Sequence, residues 1–317
     1  MRLKRIIAAL TAALIAAAAG QVQAGGVVGS GTPGSCTAAA LASAASGGGN
    51  VTFNCGANPH TITLTGQITL TSATTIDGGG KITLSGGNST RLFFNNSGAL
   101  LTVRNLTLRD ARTSDNIGGA ALRGSYRSSF NVQNVQFINN VANASPAGGN
   151  AGGGAIWLHG GTLTVNGATF SGNQAINGSG GAIHALLSNV EINDATLVSN
   201  SSSGPGVGGA FHNDGTYEGG SNGYVIFRRV NFINNTANNT GGGAHVFLYP
   251  WQPGSYARME NVLFKGNSVT NNGLGAGLRF SNGPLTLRGA LFINNNADSQ
   301  GGGIWFGDNA SAIPASG

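Results

Sequence analysis

The chain of 317 residues carries 16 Lys and Arg against 10 Asp and Glu, a formal charge of +6, yet only 8% of its residues are charged. Ordinary soluble domains have about 25%, and with no Lys/Arg run anywhere the surplus does not argue for a nucleic-acid interface, and none is expected. A mean hydropathy near zero excludes a membrane-embedded chain, and 55 glycines exclude a helical bundle.

Residues 1–24 read as a cleavable secretory signal: Arg2, Lys4 and Arg5, the apolar run Ile6–Ala19, then Val22-Gln-Ala24 before Gly25. The run is shorter than the ~20 residues a spanning helix needs, and no later stretch could span a bilayer as a helix. Without the leader 13 basic residues face 10 acidic ones, or +3. The expected location is outside the cell, secreted or at the cell surface.

Residues 25–58 form a lead-in and a cap. Gly25–Gly34 is a flexible approach, and alanine-rich Ser35–Ser46 is the one predicted helix, with Ser35 or Thr37 as N-cap and Gly47 as its end. Cys36 and Cys55 are the only cysteines, 19 apart. In an exported chain they are expected to pair, which for such a loop contributes about 3 kcal/mol; the alternative is two free thiols.

From Thr61 to Val103 apolar residues alternate (Ile62, Leu64; Ile68, Leu70; Ile82, Leu84; Leu101, Val103) between turns such as Asp77-Gly-Gly-Gly80. These are period-two strands. A repeat then sets in. Within Gly152–Asn200 one unit is written almost twice: Gly153–Ile156 and Gly180–Ile183 as strand starters, Leu163–Val165 and Val190–Ile192 as alternating strands, then a third strand ending Phe170-Ser-Gly-Asn173 and Leu197-Val-Ser-Asn200. The anchor recurs as Phe137, Phe170, Leu197, Phe232, Phe264 and Phe292, each with an asparagine three residues later.

Repeats of this length with short strands and Gly/Asn turns predict a solenoid. The expected fold is all-β, a single-stranded parallel β-helix over residues 59–317 with three strands per coil, the helix lying over its N-terminal end. Equivalent positions should stack about 4.8 Å apart, with asparagines forming a ladder at one corner. The last strand, Ile304-Trp-Phe306, has no visible lid. A bare edge there predicts end-to-end self-association or a longer chain.

With these motifs in view, the chain resembles the secreted right-handed β-helix proteins of the pectate-lyase-like superfamily. The Gly-Gly-Ala-Ile and Phe-x-x-Asn repeats specifically resemble the passenger region of chlamydial polymorphic outer membrane proteins, and also large bacterial surface proteins that share this repeat. The resemblance covers roughly Asn50 onward. It implies right-handed coils, export and an adhesive surface role. Those proteins also carry a C-terminal membrane barrel, which no stretch here resembles.

The same superfamily contains polysaccharide lyases and glycoside hydrolases. Such lyases group carboxylates around calcium beside an Arg or Lys base, and the hydrolases need carboxylates at fixed separation. Here the ten acids include no Asp-Asp pair, and no Asn-Thr-Asp or Gly-His-Gly occurs. No catalytic residue is assigned, and the expected role is binding of a carbohydrate or surface ligand, the alternatives being a lyase or hydrolase or a purely structural repeat.

Two features carry the binding expectation. Directly after each starter comes an outward residue: Trp157, His184, His212, Arg279 and Trp305, with His245 either joining this column or facing inward. Two turns are much longer than their neighbours, His212–Gly223 and Tyr249–Tyr256. On consecutive coils they should lie side by side, bringing His212, Asp214, Tyr217 and Glu218 to Tyr249, Trp251 and Tyr256, with Trp251 as a stacking platform. Asp214 with Glu218 is the one candidate pair for a Ca2+ ion.

Overall fold

The computed structural model describes residues 25–145, 147–148, 150–220, 222–249 and 252–307. The predicted leader and Trp251 lie outside these residues.

The described chain is a parallel β-solenoid with one α-helix, Ala38–Ala45. Its N-cap is Thr37, whose Oγ1 accepts the Ala40 N–H at 3.1 Å. The helix begins later than Ser35 because Pro33–Ser35 forms a separate 3-10 turn. Leu41 and Ala45 are buried in the main core. Cys36 and Cys55 form the expected disulfide, their Cα atoms 5.6 Å apart. No described helix is long and apolar enough to cross a membrane.

Three parallel sheets of 13, 9 and 7 described strands form the walls. One central passage shows the route. Starter strand Ile156–His159 lies in the nine-stranded sheet, Thr162–Ser171 in the broad thirteen-stranded sheet, and Gln174–Ile176 in the narrow seven-stranded sheet. The chain then re-enters the first sheet at Ile183–Leu186. Each strand pairs with its equivalent in the next coil, as in Ile156↔Ile183 and Phe137↔Phe170.

Two details differ from the expectation. The alternating strand and the anchor strand are one continuous ten-residue strand, bent in the middle by a residue at positive φ: Asn134 (52°), Gly167 (72°), Asp194 (54°) and Arg229 (54°) in successive coils. The ladder resumes across the bend, with Gln133↔Asn166 before it and Val135↔Ala168 after. A single left-handed residue turns the chain without costing it the sheet. The narrow sheet supplies the third wall instead. Its strands of two or three residues bury at most one side chain each, such as Ala142 or Ala175, too little to show a periodicity.

The double glycine of the starter has a local reason. Gly180 sits at φ +65°, and a Cβ there would run into the carbonyl oxygen of Ile183; one on Gly181 would meet that of Gly209. Only glycine permits this approach.

Inside, rings and branched chains stack coil upon coil. Phe137 lies on Phe170 at 4.6 Å, Phe232 on Phe264 at 4.8 Å and Phe264 on Phe292 at 4.9 Å, all near parallel. Beside them runs the asparagine ladder, Asn140, Asn173, Asn200, Asn235, Asn267 and Asn295, with amide-to-carbonyl side-chain bonds of 2.9–3.0 Å at every step. The last described coil leaves Leu287, Leu291, Ile293 and Phe306 exposed.

Candidate functional site

On the starter strands alternate side chains leave the core. Register fixes the column Trp157↔His184↔His212↔His245↔Arg279↔Trp305, so His245 joins it. The column points away from the core, but it is not the open face that the alternation implies. Trp157, His184, His212 and His245 are buried, and Arg279 and Trp305 partly so. The Gly/Ala-rich segments connecting the narrow sheet to the starters lie over them. Trp157 Nε1 donates to the Asn150 carbonyl at 2.9 Å, and His184 Nδ1 lies 3.3 Å from the Ala151 carbonyl.

Further along, the cover thins into a groove of about 350 Å³. Asn150, Ser179, Pro205 and Val207 line one side, Asp214, Phe247 and Tyr249 the other, with His212 and His245 also in its lining. The two imidazoles stack nearly parallel with centroids 5.0 Å apart, and His184 packs on His212 at 4.8 Å. Both ring nitrogens of His245, Nδ1 of His212 and Nε of Arg279 are buried with no hydrogen-bond partner among the described residues. Leaving such atoms unpaired costs about 1–3 kcal/mol each.

Burial also sets their charge. It pushes His184 down to about 4, against the opposing pull of Asp214. Burial holds His212 well below the ordinary value, with His184, His245 and Arg279 adding to the effect. His245 is lowered to about 3, by burial first and then by Arg279. All three rings are therefore neutral at pH 7, while Arg279 keeps its charge. That guanidinium donates to Thr240 Oγ1 at 3.3 Å and stacks 4.9 Å from the Trp305 ring centroid.

The two long turns do lie against each other. Gln252 Oε1 accepts from Thr216 N at 3.0 Å, its Nε2 donates to the Tyr217 carbonyl at 2.8 Å, and Thr216 Oγ1 donates to Ser255 Oγ at 2.9 Å. Tyr249 donates its hydroxyl to Asp214 Oδ1 at 2.9 Å; burial, followed by Asp214, pushes its phenol above the usual range.

Other predicted members do not meet in the groove. Tyr217 is exposed at the loop tip, and Tyr256 stands on the broad sheet beside Tyr224, ring centroids 6.4 Å apart. Glu218 reaches back two coils, its Oε2 3.7 Å from His159 Nε2, and so does not join Asp214 around one ion. Among the described residues no group of three or more His, Cys, Asp or Glu side chains is placed to hold a metal ion.

Phe247, Pro205, Val207 and His159 escaped the sequence reading. Phe247 could have been found as the register partner of Asp214, three residues before Pro250 in the long turn. His159 shows no such signal, because its partner lies two coils away.

Fold and groove together define a parallel β-solenoid whose one wall carries a roofed, aromatic- and imidazole-lined cleft. No family model, curated protein or solved structure matches the chain.

Proposed function

We propose that this is an exported surface protein that binds a glycan chain in the groove over His212 and His245. The observation that carries the reading is the lining itself: aromatic rings of Phe247 and Tyr249 on one side, and neutral, unpartnered imidazoles beneath. Aromatic faces pack against the apolar faces of sugars, while free ring nitrogens suit hydroxyl groups. The disulfide agrees with an oxidising compartment.

In the same reading the coils are right-handed, with three strands in each, as in the pectate-lyase-like proteins the sequence resembles. The helix Ala38–Ala45 acts as a lid on the first coil. Its Leu41 and Ala45 are buried in the main core together with Val28 and Val51, which is what such a lid must achieve.

The test is a glycan-array screen of the full chain beside a Phe247→Ala, Tyr249→Ala double variant, with thermal unfolding of both. Binding to a defined glycan group, reduced tenfold or more in a variant that still unfolds cooperatively, is the expected result. Undiminished binding by the folded variant would move the site elsewhere.

A further inference from the structure

We infer that His212, His245 and Arg279 form a subsite for an oxyanion group, sulfate or carboxylate, on the bound glycan, and that a proton from solvent joins one of the two imidazoles as the anion enters. This rests on the groove being the glycan site.

Three adjacent positions of one column, His212↔His245↔Arg279, present only nitrogen. Neutral imidazoles each offer an N–H, and Arg279 has an unspent Nε–H. The Arg279 charge acts on both rings, and no carboxylate stands among the groups that act on them. Asp214, the carboxylate in the groove lining, is turned to the Tyr249 hydroxyl and acts on His184 instead. The connecting segments 144–155, 177–182, 203–210, 238–243 and 270–277 contain no titratable side chain, and Asp298, which opens the segment of the next coil, makes no ion pair with Arg279. The half-buried guanidinium also has no acidic partner among the described residues. It stands one register step beyond His245, next to the groove lining, and its charge is not cancelled by an acid, the condition under which an anion repays its own desolvation.

An anion beside the stacked rings would also favour their protonated forms, so binding should take up protons and strengthen as pH falls. His184, Asp214 and Tyr249 are the other titratable groups facing this spot, and Asp214 alone among them opposes an incoming anion.

The experiment compares unmodified dextran, dextran sulfate and carboxymethyl dextran as probes. Calorimetry of the full chain at fixed ionic strength, between pH 7 and pH 5 and in two buffers of different ionisation enthalpy, also counts the protons. The charged polymers should outbind the neutral one, the better of the two naming the oxyanion, with net proton uptake. Arg279→Gln should weaken that binding about 10- to 100-fold. Arg279→Lys should retain most of it, and Lys265→Gln, the same charge change on an exposed strand position, should leave it alone. Equal binding of neutral and charged dextran, or an equal loss in the Lys265 variant, overturns the oxyanion subsite. Neither outcome touches the glycan reading, which stands or falls on the array.

Discussion

The side-chain amide of Asn173 donates to the side-chain carbonyl of Asn200 at 2.9 Å, and the same Asn200 oxygen accepts the backbone N–H of Asn173 at 3.0 Å. Asn200 in turn donates to Asn235 Oδ1 and to the Phe170 carbonyl, both at 3.0 Å. One amide thus satisfies polar groups of the coils on both sides of its own, all out of reach of water. Asn200→Ala strands several of them at once and is expected to cost about 3–5 kcal/mol. Asn295 is only partly buried at the last rung. Water can replace its bonds, so Asn295→Ala should cost clearly less. Urea unfolding of the two variants gives the comparison; equal losses would mean that burial of the ladder is not what makes it matter.

Stability should fall in acid because of the histidine column. Their folded-state values are depressed, His184 to about 4 and His245 to about 3, by burial above all. An unfolded chain takes up protons on these rings near pH 6.5, whereas the folded chain refuses them until far lower. Stability is thus complete above about pH 6.5 and declines toward pH 4, at up to about 1.4 kcal/mol per pH unit for each ring. His245→Phe keeps the ring and removes the titration. Its unfolding free energy should depend less steeply on pH across that window, and an unaltered slope would contradict the buried-neutral assignment.

Glycine at the starter is a backbone requirement. With φ at +65° and the Ile183 carbonyl in the way of a Cβ, Gly180→Ala should destabilise by about 2–3 kcal/mol. Gly66 has open space where a Cβ would go and no left-handed backbone. Gly66→Ala is expected to be neutral or slightly stabilising. Thermal melts of the pair separate this requirement from a general dislike of side chains at turns.

The disulfide ties the helix to the first wall through a loop of sequence separation 19. Replacing both Cys36 and Cys55 by alanine should remove about 3 kcal/mol. Because the cross-link lies at one end, hydrogen exchange should rise first in Gly49–Phe53 and the helix, leaving Thr162–Ser171 protected. Uniform loss of protection would show that the end and the centre unfold as one unit.

What could be read from the residues was whatever a single corner or a single face demands. Gly180 and Gly181, the Phe anchors and the asparagine rungs answer local geometry, so they recur visibly. Burial of His184 and His212 was not legible: alternation says which side of a sheet a residue takes, not whether a second layer covers it. That layer is a run of Gly, Ala and Ser, which looks like a bare loop. The bend at Gly167 looked like a strand end because one left-handed residue and a true turn are written alike. Glu218 and His159 meet across two coils, a distance no repeat pattern encodes.

Successive rungs of the ladder are separated by 33, 27, 35, 32 and 28 residues of chain, yet each closes with the same side-chain contact. Contour length and axial advance are therefore decoupled, as in a measuring stick whose graduations ignore what hangs from it. Residues added at the Tyr217 or Pro253 turns would enlarge the cargo on the wall without shifting any rung. Excising the 27 residues from one asparagine to the next, 174–200, would instead shorten the stick by one graduation and bring two formerly separated turns into contact.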